Sequence, residues 1–144
     1  MPNPSLPTVM KITAYVRNAA SSHEATVSTA GSTRALPIPA KVAAAGSDVN
    51  GGEFLMLALA TCYCNDIYRE AQRIGVEVNG VEVEATAEFN GIGLGASNVQ
   101  YCARISSPAT QDQIARLLHE TDAVAEVQNT LRAGSAVTRV QWEP

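Results

Sequence analysis

The chain has 144 residues, 46% of them apolar, with 10 basic side chains against 14 acidic ones and a formal net charge of -4. That length and that ordinary apolar content suit one globular domain around one core. The acidic balance, with no run of Lys or Arg, argues against a nucleic-acid surface and against a patch that would hold an anionic membrane.

Met1 to Val9 carries three prolines and no continuous apolar segment, so it reads as an irregular arm and not as a signal peptide, which favours the cytoplasm. Lys11 to Arg17 and Ala25 to Thr29 read as strands of a first hairpin or meander, and Ser32 to Ile38 is a third candidate bounded by prolines. Lys41 to Gly52 is a loop of small residues. The longest helical stretch follows, Gly52 to Ile74 (GEFLMLALATCYCNDIYREAQRI). Asn50 and Glu53 mark its start with the capping-box spacing, and Gly75 ends it.

Within that stretch, Phe54 to Ala60 has no polar residue on any face, the pattern of a helix buried all round, and it is too short to cross a bilayer. From Ala60 the apolar positions thin to Ala60, Cys64, Ile67, Ala71 and Ile74. That spacing turns one stripe inward and leaves Asn65, Arg69, Glu70 and Arg73 toward solvent. The helix is therefore expected to be buried at its start and exposed at its end.

Val76 to Phe89 alternates Val81, Val83, Ala85, Ala87 and Phe89 against Glu82, Glu84, Thr86 and Glu88, the period of a strand with one wet face. Asn90 to Ser97 is a turn. Asn98 to Ser106 is the antiparallel partner, with Val99, Tyr101, Ala103 and Ile105 inward. Pro108 and Thr110 open a second helix to about Glu120, a third runs from Ala123 to Leu131, and Ala136 to Trp142 can close the sheet. The fold class is α+β, in a single domain spanning residues 1–144.

Three cysteines, two of them on one helix, do not make a disulfide framework of the secreted kind, and free thiols fit a reducing compartment. Other motifs fail on context. His119-Glu120 begins H-E-x-x-H, but Ala123 stands at the second histidine position, so no zinc pair exists. A C-x-C pair on a helix splays its sulfurs, and His23 and His119 have no ligand cluster beside them in sequence, which leaves no metal site and no cofactor to expect. Gly91, Gly93 and Gly95 lie between two strands and serve a hairpin turn, not a dinucleotide.

The run N-G-G-E-F-L-M-L-A-L-A-T-C-Y at Asn50 to Tyr63, followed by R-x-G-V-E-V-N-G-V-E-V at Arg73 to Val83, resembles the signature of the OsmC/Ohr superfamily. The usual form is N-P-E-E-L-L, then small and apolar residues, then A-C-Y or A-C-F. Val124 to Gly134 (VAEVQNTLRAG) is similar to that family's last helix, commonly C-P-V-x-N-T-L. The resemblance implies an OsmC-like fold: antiparallel sheets wrapped around long central helices in an intertwined homodimer, with active sites at the subunit interface. It also implies a peroxide-reducing cysteine, aided by an arginine and a glutamate and resolved by a second cysteine.

By position Cys62 matches the attacking cysteine. The family's proline and glutamate fall on Gly51 and Gly52, with Glu53 one place further on. Ala125 stands where the resolving cysteine belongs and Glu126 where its proline belongs, so the internal disulfide cannot form. Arg34, Lys41 and Arg17 all lie upstream as sources of the arginine, none in a diagnostic motif. The catalytic candidates are Cys62 as nucleophile, with Glu53 and Arg34 as its helpers.

Peroxide is attacked by a thiolate, and an unassisted thiol, with a pKa of about 8.5, is mostly protonated at neutral pH. On its own helix Cys62 has Asn65 and Asp66 as polar neighbours, and the carboxylate would raise the thiol pKa unless paired with Arg69. Packing is the alternative for Cys62, as a small buried hydrophobe. Cys64 sits about 200° around the helix from Cys62 and cannot readily bridge to it. Cys102 has the opposite parity to the inward residues of its strand.

Two functions remain open. In one, Cys62 reduces an organic hydroperoxide and an external thiol resolves the sulfenic acid. In the other, a non-catalytic dimer of the same fold binds a small apolar ligand at its subunit interface.

Overall fold

The computed structural model describes residues 9–143, so all of the expected N-terminal arm but Val9 lies outside them. Two compact units follow one another along the chain, divided at Gly51.

The first unit is a three-stranded antiparallel meander, β1 (Ile12–Ala19), β2 (Ser22–Thr29) and β3 (Ser32–Leu36), in that spatial order. Register sets Ile12 opposite Thr29 and Ala25 opposite Leu36. The β2–β3 turn, Ala30-Gly31, has positive φ at both residues, which matches the right-handed twist of a tight hairpin. The following loop is folded on itself: Ala40 bridges Ser47, and Asn18 of β1 pins Gly46 by both its amide and its carbonyl.

The second unit carries the long helix α1 (Gly51–Ile74), the hairpin β4 (Gly80–Phe89) and β5 (Ala96–Ser106), and the helices α2 (Gln111–Val124) and α3 (Glu126–Ala133). β4 and β5 pair antiparallel with Val83 opposite Ala103 and a bulge near Thr86. The alternation read from the sequence is realised here. Val81, Val83, Tyr101, Ala103 and Ile105 pack against a buried cluster of Tyr63, Ile67, Ala71, Leu117 and Ala125. Thr110 caps α2 through a full capping box with Gln113.

Four expectations are corrected. The exposure of α1 runs the other way: Leu57 in its apolar first half is 58% exposed, whereas Tyr63, Ile67 and Ala71 in its second half are buried. The inward stripe is displaced by one position, to Leu59 and Tyr63 in place of Ala60 and Cys64. The larger side chains bury more apolar area, and the Tyr63 ring meets Tyr101 edge-on at 4.8 Å. Glu70 is buried instead of solvated, because Arg73 Nε at 2.9 Å and Arg69 Nε at 3.5 Å pair with its carboxylate. Lastly, residues 135–143 form no strand, and Val137, Val140 and Trp142 are exposed.

Candidate functional site

Cys62 lies midway along α1, partly buried against the core cluster. One turn further on, its helix brings the Asp66 carboxylate to 3.5 Å from Sγ. The second carboxylate comes from the α2–α3 junction. Ala125, fully buried, ends α2 and starts α3 in an extended conformation with no side chain to cap α3. Glu126, the first residue of α3, then places Oε2 3.8 Å from Sγ.

Arg69 closes the group. Its Nη1 lies 3.2 Å from Asp66 Oδ1 and 2.9 Å from Glu126 Oε1, and Nη2 donates to the Val124 carbonyl at 3.5 Å. Asp66 is buried, while Glu126 and Arg69 reach solvent. One guanidinium therefore bridges two carboxyl groups that both touch one sulfur.

Burial pushes the Cys62 thiol above its ordinary range. A backbone hydrogen bond from Val127 pulls it down, but the charges of Asp66 and Glu126 and the hydrogen bond to Asp66 add to the rise. Asp66 is also raised, by burial first and then by the adjacent Glu126, with Arg69 and Cys62 opposing. Glu126 moves the other way: burial opposes ionisation, but a hydrogen bond with Asp66, its own backbone N–H and Arg69 hold its carboxyl below the usual range. Asp66 thus keeps a proton longer than Glu126 does.

Of the sequence candidates, Cys62 sits in this group. Glu53 is nine positions earlier on α1, about 13.5 Å along the axis at 1.5 Å per residue. Arg34 stands exposed on β3 in the first unit. Cys64 does not join the cluster. Cys102 is exposed on the outer face of β5, between the inward Tyr101 and Ala103. The pairing of Asp66 with Arg69 was foreseeable from their spacing. Glu126 was not, because the chain order only placed it where a proline is common. Cys62, Asp66 and Glu126 bring three ligand-type atoms within 4.8 Å of one another, but Arg69 already supplies those carboxylates with the positive charge that a metal ion would bring.

A cleft of about 230 Å³ lies between Leu59 of α1, Val99 and Tyr101 of β5, and Gln128, Leu131 and Arg132 of α3. Gln128 is buried and donates to the Leu59 carbonyl at 3.0 Å, while its Oε1 has no partner. Arg132 Nη2 donates to the Tyr101 hydroxyl, which in turn donates to Asp122, both at 2.7 Å. No helix among the described residues is long and apolar enough to cross a membrane.

Comparison with protein families matches residues 44–139 to the OsmC-like protein family. Among solved structures, an OsmC-like protein from Mycoplasma pneumoniae superposes with a TM-score of 0.64 at 18% identity, covering 88% of this chain and 89% of that one. An organic hydroperoxide resistance protein from Elizabethkingia anophelis gives 0.55 at 13% identity, with 89% and 91% covered. A third, an OsmC-like hydroperoxide resistance protein from Jannaschia sp. CCS1, gives 0.51 at 17% identity, with 90% and 87% covered. By sequence, no curated protein matches the chain.

Proposed function

The chain belongs to the OsmC-like protein family, and from that premise we propose that it is a one-cysteine thiol peroxidase that reduces organic hydroperoxides through Cys62 and acts as a homodimer. The observation that carries this reading is the position of Cys62: a partly buried thiol within 3.8 Å of two carboxyl groups and next to a bridging arginine, at the family's attacking-cysteine position. Two structural neighbours are named for hydroperoxide resistance, which supports the same substrate class. The charged groups that this unit sets around Cys62 are Asp66, Arg69 and Glu126.

Ala125 carries no thiol, so the Cys62 sulfenic acid is reduced by an external thiol. That thiol condenses with it to a mixed disulfide and water, and a second thiol then releases Cys62. The dimer is supported by the apolar first half of α1, where Leu57 is more than half exposed in the single chain.

The test is intact-mass analysis of reduced protein after brief exposure to stoichiometric cumene hydroperoxide with a dimedone trap. Labelling confined to Cys62, lost in Cys62→Ser and kept in Cys64→Ser, is the expected outcome. Equal labelling of Cys62, Cys64 and Cys102 would sink the assignment. One observation favours a second reading. A thiol raised by burial, together with the 230 Å³ cleft between α1, β5 and α3, fits a non-catalytic dimer that binds a small apolar ligand, and an unreactive Cys62 would direct the search there.

A further inference from the structure

An attacking cysteine is ordinarily readied by a neighbouring cation that lowers its pKa. Here the arrangement is inverted. The groups touching Sγ are carboxyls, and among the described residues of this unit the nearby cation, Arg69, is spent on those carboxyls. The charged groups facing the thiol are Asp66 and Arg69 of its own helix and Glu126 of α3, with Glu70 behind Arg69. The hairpin adds no charge on this side: Val81, Val83, Ala103 and Ile105 are apolar, and the Tyr101 hydroxyl is turned to Asp122. A preformed thiolate is therefore scarce at neutral pH, and fast attack on a peroxide needs a group that removes the proton during the reaction.

We propose that Asp66 is that group: it takes the proton from the Cys62 thiol as the sulfur attacks and passes it to the departing alkoxide, with Glu126 holding the proton on Asp66 in between. The role rests on the hydroperoxide reading above. Sγ already donates to Asp66 Oδ2 at 3.5 Å, so the proton has a path in the resting protein. The Glu126 carboxyl lies within 4.8 Å of that of Asp66 and favours its protonated form, which makes Asp66 a stronger base than an ordinary aspartate. Arg69 binds the other oxygen of each carboxylate and holds them side by side.

The step balances without a further reagent. Sulfur bonds to the terminal oxygen of the hydroperoxide, the O–O bond breaks, and its electron pair leaves on the alkoxide. The thiol proton, carried by Asp66, converts that alkoxide to the alcohol. Cysteine is oxidised to the sulfenic acid, and the hydroperoxide is reduced by the same two electrons.

The test compares two rates at Cys62, oxidation by cumene hydroperoxide and alkylation by iodoacetamide, in the full chain and in Asp66→Asn and Glu126→Gln across pH 4 to 10. Alkylation needs only the thiolate and no returned proton. Removing the Asp66 charge lowers the thiol pKa, so Asp66→Asn should alkylate faster at neutral pH yet react with the hydroperoxide about ten- to a hundredfold more slowly. In Glu126→Gln the acid limb of the peroxide profile should move to lower pH, because Asp66 loses the neighbour that raises it. This second variant changes an exposed side chain and stands if Asp66→Asn does not fold.

Peroxide and alkylation rates rising together in Asp66→Asn would mean that Asp66 is only an unfavourable charge, and the proton role falls. An unmoved acid limb in Glu126→Gln would equally overturn it. A wild-type Cys62 oxidised no faster than free cysteine removes the hydroperoxide reading itself. That failure is separable, because the alkylation comparison still reports the electrostatics.

Discussion

At the scale of single residues, the two carboxyls beside Cys62 carry opposite effects on stability. The Asp66 pKa is higher in the folded chain than the ordinary 3.8, so the fold favours its protonated form. The corresponding stability is full below the unfolded value and is lost as pH rises through the folded one. Asp66→Asn removes that loss. Its melting temperature should match the parent near pH 3 and exceed it at pH 7, as read by thermal unfolding at both values. Glu126 is lowered below 4.5, so its contribution is present at neutral pH and fades in acid. Glu126→Gln should therefore melt below the parent at pH 7, with the gap closing toward pH 3. The sequence could supply half of this. Asp66 and Arg69 are neighbours by helical spacing alone, but Glu126 reaches the thiol across 64 positions of chain, through a helix junction whose angle no local pattern records.

Among the elements, α2 was the easiest to foresee, because its start is written in the side chains. Thr110 accepts from the Gln113 amide and Gln113 returns the bond to the Thr110 amide. Thr110→Ala should lower the stability of the unit by about 1 kcal/mol in urea denaturation, with little effect at Cys62. The β4–β5 hairpin was equally legible, since alternation fixes which face turns inward and a one-residue slip would invert it. α1 was harder. Its stripe could be drawn through Ala60 and Cys64 or through Leu59 and Tyr63 with the same period. Packing chose the bulkier pair, through a ring-to-ring contact with β5 that periodicity cannot weigh. The 135–143 segment misled for a related reason: apolar residues near the end of a chain suggest a strand, yet strands need a partner edge, and β4 and β5 pair only with each other among the described residues.

For the whole molecule, the apolar run Phe54 to Ala60 is an unbroken hydrophobic signal in the sequence, yet Leu57 and Ala58 are exposed in the single chain. Covering that surface would remove it from water at about 25 cal/mol per Å², a gain available to a second subunit. Light scattering at low micromolar concentration should give a dimer mass. Leu57→Glu should shift it toward monomer, and a parent that is already monomeric at that concentration would remove the dimer from the proposal. Whether this run is covered within the chain or by a second one is beyond the reach of sequence, because a residue buried between chains and one buried within a chain have the same composition.

The buried bond from Gln128 to the Leu59 carbonyl ties the last helix to the first turns before Cys62. A short helix near the end of a chain ordinarily frays, and its amides exchange with solvent long before those of the core. Here fraying would break a buried hydrogen bond and pull Gln128 out of the core, so α3 and the middle of α1 should open as one cooperative unit. In a native-state deuterium exchange experiment, the amides of residues 130–133 should then show protection close to that of Tyr63 and well above that of residues 135–143. If they do, the carboxylate that Glu126 brings to the sulfur is as durable as the core itself, although it sits at the solvent-facing edge of the fold.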